Sequence, residues 1–160
     1  MLKIKFITVG SLSEKFWVDA CDEYKKRLSQ AYKVSEVQLK EERLPKNPSD
    51  GEIAAALNAE GEKILAEIPP RSTLVALCIE GKQLSSPELA SFMDREATNG
   101  SSEICFVIGS SYGLCDKVKN AANLRLSMSK LTFPHQLARV MLHEAVYRAG
   151  EILKGSRYHK

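Results

Sequence analysis

The sequence predicts an α/β fold, a mostly parallel sheet with helices on both faces. Three observations carry this. Short β-branched and apolar runs alternate along the chain with longer segments of helical periodicity, the pattern of a sheet covered on both sides. One run, Thr73–Ile79, is almost continuously apolar, as a strand buried on both faces must be. The chain has 160 residues with 44% hydrophobic content, which fits one domain large enough to enclose a core. No repeat or low-complexity segment interrupts it, so residues 1–160 are one domain.

Leu2–Val9 mixes β-branched, aromatic and lysine positions and stops at Gly10, which reads as the first strand. Ser13–Gln30 follows as an amphipathic helix through Phe16, Trp17, Ala20, Tyr24 and Leu28, with Lys25, Lys26 and Arg27 on a solvated face. Val34–Leu39 is the second strand. Lys40–Asp50, with Pro45 and Pro48, reads as a mobile connection. Gly51–Ile68 is helical despite Gly61, with Ile53, Leu57, Ile64 and Leu65 on one side. Pro69 and Pro70 end it. Thr73–Ile79 is strand three and Glu80–Ser86 the loop at its carboxyl end. Ser86, Pro87 and Glu88 supply a cap, a first-position proline and a first-turn acid for the next helix. Glu103–Ile108 is strand four, Gly109–Gly113 a tight loop, Leu114–Ala122 a short helix and Leu124–Ser127 strand five. The last helix, Pro134–Leu153, opens on a proline whose fixed φ and missing N–H cost nothing there. Leu137, Met141, Ala145, Ala149 and Ile152 form one apolar stripe, while Val140, Leu142, Val146, Tyr147 and Leu153 spread over the other faces. Two apolar faces predict contact with the sheet and with a second copy of the chain. Ala145, Ala149 and Gly150 would permit that copy a close approach.

The net charge of +3 is unevenly placed. Beyond residue 120 the bases Arg125, Lys130, Arg139, Arg148, Lys154, Arg157 and Lys160 face only the acids Glu144 and Glu151, and the histidines His135, His143 and His159 all lie there. A basic end on a balanced body points to an anionic partner, with RNA favoured. Met1–Val9 lacks the apolar core of a signal peptide, and no run reaches the roughly 18 apolar residues of a membrane span. Cys21, Cys78, Cys105 and Cys115 have no metal-type spacing, and two of them fall inside apolar strands. The expected compartment is reducing, hence cytoplasmic. His135 and His143 are too far apart on one helix to share a metal ion, so none is expected.

Parallel α/β sheets bind ligands beyond the carboxyl ends of their strands, here Leu77–Gly81, Gly109–Gly113 and Ser127–Phe133. No G-x-G-x-x-G motif occurs, and Gly81-Lys82 lacks the rest of a phosphate loop. Gly109-Ser-Ser-Tyr-Gly113 does match the G-x-S-x-G nucleophile elbow, with Ser111 as nucleophile, Asp116 or Glu144 as acid, and His135, His143 or His159 as base. Against a small serine hydrolase stand the short chain and the lack of an HGGG-like oxyanion motif. The tail Arg157-Tyr-His-Lys160 joins charge to a ring, a combination that grips unpaired RNA bases.

Three stretches together are specific: Phe106-Val-Ile-Gly109, Ser127-x-Ser-Lys-x-Thr-Phe-Pro-His-Gln-x-x-Arg139 and Tyr147-Arg-Ala-Gly-Glu-Ile-Leu-Lys-Gly-Ser-Arg-Tyr-His-Lys160. Over essentially the whole chain, from Lys3-Ile-Lys-Phe-Ile-Thr-Val-Gly10 onward, the sequence closely resembles the bacterial ribosomal large-subunit pseudouridine methyltransferase H family of the SPOUT superfamily. The resemblance implies a C-terminal trefoil knot, a homodimer, and S-adenosyl-L-methionine as cofactor without metal. It implies a cofactor pocket from Leu77, Gly109, Met128, Ser129, Lys130, Leu131, Thr132 and Phe133. The implied reaction is methylation of N3 of a pseudouridine in 23S rRNA of the assembled ribosome. Arg148, Tyr158 and His159 would hold or activate the nucleotide, and Arg139, Arg148, Arg157, Tyr158, His159 and Lys160 would contact RNA. Three positions depart from the family pattern: Ser110 replaces a second glycine, Gly150 an aromatic residue and Arg157 a proline. Another SPOUT specificity, for tRNA ribose or guanine, is the nearer alternative. A non-catalytic ribosome-binding factor would follow if those departures disable the pocket.

Overall fold

Strands and helices alternate strictly across residues 2–160, which the computed structural model describes: β1 (Lys3–Val9), α1 (Lys15–Leu28), β2 (Lys33–Leu39), α2 (Asp50–Ala66), β3 (Thr73–Gln83), α3 (Ser86–Thr98), β4 (Glu103–Ile108), α4 (Asp116–Ala121), β5 (Leu124–Ser127) and α5 (His135–Lys154). The strands form one sheet in the order β2-β1-β4-β3-β5, and every pairing is parallel. The α/β class predicted from the alternation is therefore the observed one.

The two-residue period of the strands divides the core. Ile104, Phe106 and Ile108 of β4 point to one side, where they meet Leu28 of α1, Met93 of α3 and Leu142, Val146 and Ala149 of α5. Cys105 and Val107 point to the other, against Ile64 of α2 and Leu114 and Val118 around α4. Each such aliphatic side chain contributes about 1.5–3 kcal/mol on full burial. Helices α1, α3 and α5 thus form one layer, and α2 and α4 the other.

Three local features differ from expectation. Strand β3 does not stop at Ile79. It continues to Gln83, and its pairing with β5 jumps from Leu77 to Lys82 across an irregularity. Gly81 permits that jump, because a Cβ there would lie 2.7 Å from the Arg125 carbonyl oxygen. Helix α3 is capped by Ser85 rather than Ser86, in a reciprocal box with Glu88 (3.2 and 2.7 Å). The expected mobile connection Lys40–Asp50 is tied to α2, where Glu60 accepts from Glu42 N at 2.9 Å and Lys63 pairs with Glu42 at 2.7 Å.

Pro134 is the N-cap of α5, one position before the first helical residue, and it makes no side-chain cap bond. The expected interface residues of α5 divide unevenly. Ala149 is fully buried in its own core, and a Cβ on Gly150 would lie 2.8 Å from the Tyr32 ring. Only Ala145 of the three small residues remains on the half-exposed face, beside Leu137, Val140 and Met141. Gly155, at φ 74°, ends the helix and turns the chain back along it. Among the described residues, no helix is long and apolar enough to cross a membrane.

Candidate functional site

A cavity of about 430 Å³ opens at the carboxyl ends of β3, β4 and β5. Leu77, Gly109, Met128, Ser129, Leu131, Thr132 and Phe133, all expected there, line it; Lys130 does not. Glu80 and Tyr112, inside the expected strand-end segments, and His135, at the start of α5, also line it; sequence reasoning missed Lys119. Because Lys119 belongs to α4 and His135 to α5, the cavity passes over the sheet edge from one helix layer to the other.

Main chain crowds the β4 end of the cavity. A Cβ on Gly109 would lie 2.3 Å from the Gly113 carbonyl oxygen, so only glycine lets the two segments pass. The turn between them is closed by Gly113 N donating to Ser110 O at 2.8 Å, with Gly113 at φ 91°. Ser110, the departure from the family pattern, donates its hydroxyl to Glu60 Oε1 at 3.0 Å. Glu60 is only 4% exposed, and burial pushes its carboxyl above the usual glutamate range. A buried acid from α2 therefore braces the loop from below. On the β5 side, Ser127 Oγ donates to Ser129 O (3.1 Å) and Leu131 N to Ser129 Oγ (3.0 Å), which fixes the second loop. The first N–H groups of α5 precede its first helical bond, Ala138 N to Pro134 O, and offer free donors at the cavity's α5 end.

Ser111 does not form a nucleophile elbow. Such an elbow strains its serine, yet Arg71 is the one non-glycine residue with positive φ among those described. Ser111 is exposed, and no hydrogen bond joins it to a histidine among the described residues.

Arg148, Tyr158 and His159 come together, as expected, and the residue that organises them is Glu144. Its Oε1 accepts from Arg148 Nε and Nη2 (3.0 and 2.6 Å) and from the Tyr158 hydroxyl (3.0 Å). Arg148 lies over the Tyr158 ring at 4.8 Å and donates through Nη1 to His159 Nδ1 at 3.2 Å. That bond requires the tautomer with its proton on Nε2. Burial, reinforced by Glu144, pushes the Tyr158 hydroxyl up to about 12, so it stays protonated and acts as a donor. The signal for Glu144 was its i,i+4 spacing from Arg148. Arg157 and Lys160 are exposed.

Arg139 is a correction. Expected at an RNA surface, it is 0% exposed, and its Nη2 donates to Val9 O (3.4 Å) and Gly10 O (3.2 Å). One turn on, His143 stacks on Phe6 with ring centroids 4.0 Å apart, and its Nδ1 bonds Arg139 O at 2.6 Å. Burial pulls its pKa down to about 4, so it is neutral at pH 7. Neither residue can reach a substrate.

The tail cluster and the cavity lie at different stations of α5. The cavity reaches Ala138 and the tail is fastened at Glu144, six residues on, about 9 Å at 1.5 Å per residue. Among the described residues, no group of three His, Cys, Asp or Glu side chains is arranged to hold a metal ion.

Two comparisons with known proteins bear on this arrangement. A family model described as "Predicted SPOUT methyltransferase" matches residues 2–159. The solved structure of a probable methylase family protein from Haemophilus influenzae Rd KW20 aligns with a TM-score of 0.52 at 13% identity, over 100% of this chain and 72% of that one. At that identity the likeness is one of fold.

Proposed function

Because the chain belongs to the SPOUT methyltransferase family, we propose that it methylates N3 of a pseudouridine in 23S rRNA of the assembled ribosome, using S-adenosylmethionine, as a cytoplasmic homodimer. The observation that carries the reading is the cavity at the ends of β3, β4 and β5, walled by all but one (Lys130) of the residues that the resemblance implied. Those residues fit the cofactor. Leu77, Met128 and Phe133 offer an apolar slot for a purine, Gly109 lets main chain press against it, and the backbone groups of the loops supply donors and acceptors.

When bound, the cofactor supplies a methyl group on a positively charged sulfur, so its transfer needs neither a metal nor a covalent enzyme intermediate. The chain's part is to bind, orient and handle charge. N3 must lose a proton to water or a positioned base, and the anion it leaves is stabilised by a nearby cation. Arg148 is that cation, Tyr158 gives its one hydroxyl proton to Glu144 and so presents its ring and hydroxyl oxygen, and Glu144 is the positioning residue that fixes both. Exposed Arg157 and Lys160 suit rRNA phosphates. Among the described residues none beyond Ala138 lines the cavity, which supports a dimer in which the tail of one copy meets the cavity of the other. The half-exposed apolar face of α5 is the surface proposed for it.

Mass spectrometry of rRNA from a strain lacking the gene tests this directly. The expected result is loss of one methylpseudouridine from 23S rRNA. Loss of a methyl group from tRNA instead would transfer the reading to another SPOUT specificity, and no loss would favour a binding factor.

A further inference from the structure

Two formal charges line the cavity, one of each sign: Glu80, near the end of β3, and Lys119, in α4. They face each other, Lys119 Nζ lying 2.5 Å from Glu80 Oε1. Their meeting is a product of topology. Strand β5 pairs with the outer edge of β3, so the connection from β4 to β5 must carry α4 across β3. Lys119 is held there from behind, because Arg125 of β5 donates to Lys119 O (3.0 Å) and to Asn120 Oδ1 (2.7 Å). Lys119 is 20% exposed and Glu80 55%. A pair open to water on one side is held weakly enough for a ligand to exchange it.

No other Asp, Glu, Lys or Arg lines the cavity, and His135 stands at the α5 end. A ligand that fits this wall has a long, partly apolar body and, at the α4 end, one anionic and one cationic group close together. An α-amino acid terminus is such a pair. Building on the cofactor reading above, we propose that the Glu80–Lys119 pair opens to receive the amino-acid end of S-adenosylmethionine, Lys119 binding its carboxylate and Glu80 its ammonium. Two protein–ligand ion pairs then replace one internal pair, so the amino-acid end itself adds no net charge to the cavity, and the sulfonium adds one positive charge. The two residues are specificity-determining: they select the intact cofactor over nucleosides of the same shape.

Calorimetry with two ligands tests this. S-adenosylhomocysteine, the demethylated cofactor, carries the amino-acid end on a neutral thioether, and 5′-methylthioadenosine has the same nucleoside and thioether without it. Wild type should prefer the former. Lys119→Met and Glu80→Gln should each weaken S-adenosylhomocysteine by about ten- to hundredfold, the scale of one lost bond to a charged group. Both should leave methylthioadenosine within about twofold of wild type. Equal weakening of both ligands, or no weakening of either, would overturn the assignment. If wild type binds both ligands equally well, this inference alone fails. If it binds neither, the cofactor reading fails and takes the inference with it.

Discussion

Gly109→Ala is the sharpest test of how the cavity is built. Gly109 is not among the positive-φ residues, so an alanine backbone is acceptable there and the obstacle is space. The new methyl carbon would lie 2.3 Å from Gly113 O, 2.7 Å from Gly113 C and 2.9 Å from Leu114 Cδ2, where ordinary contact begins at 3.4 Å. The Gly113 carbonyl must therefore retreat by about 1 Å. It cannot retreat alone, because its turn is closed by the 2.8 Å bond to Ser110 O, and Ser110 is fastened to Glu60. The loop has to move as a unit. Overpacking of this kind costs about 1–3 kcal/mol. At about 2–4 °C per kcal/mol for a domain of this size, the melting temperature should fall by about 2–12 °C. Because the same loop walls the cavity, affinity for S-adenosylmethionine should fall about ten- to hundredfold. Thermal denaturation and calorimetry measure the two effects. Gly51→Ala is the control: its Cβ would meet only Ser49 Oγ, at 3.9 Å, and should be neutral or slightly stabilising. A Gly109→Ala protein that melts and binds like wild type would refute this account of the loop.

Removing Arg157–Lys160 should leave the melting temperature and cofactor affinity unchanged while abolishing methylation of ribosomes, since the tail caps no core element. Full activity of the truncated chain on ribosomes would contradict it. His143 contributes through pH: its folded pKa, about 4, lies below the ordinary histidine value, so the stability it supports is present above about pH 6.5 and lost as pH falls toward 4. Urea titrations should show that His143→Leu flattens this acid loss, which is on the order of 3 kcal/mol; an unchanged pH profile would exclude His143 as its source. Light scattering should give twice the 17.8 kDa chain mass. Ala145→Glu, on the half-exposed face of α5, should give folded monomer, whereas Ala149→Glu should unfold the chain because it buries an unpaired carboxylate. A wild type that is monomeric and active would remove the dimer.

Much of the fold was legible because burial leaves a local period. Glu103–Ile108 and Leu124–Ser127 could be bounded to the residue: each is a short apolar run closed by polar or glycine positions. The cavity wall at Leu77, Gly109, Met128, Ser129, Leu131, Thr132 and Phe133 followed from strand ends and the family motif. Arg139 shows a signal present but overridden. Arg139, Leu142, Val146 and Ala149 sit at the three- and four-residue spacing of one helix stripe, and all four are buried. The charge of Arg139 argued for the surface, but its place in that stripe decided otherwise.

The sequence alone determined the elements, their alternation and the strand ends where a ligand could sit. Only the tertiary structure decided which residues meet there. Glu60 beneath Ser110 and Glu80 against Lys119 join residues far apart in the chain, and nothing in either segment names its partner. Gly150 could equally have served a second copy, but the fold gives it to Tyr32. The reason is that periodicity reports how deeply a residue is buried within its own element, whereas its neighbours depend on strand order. Here that order places β3 between β4 and β5, and so draws α4, with Lys119, across the mouth of the cavity.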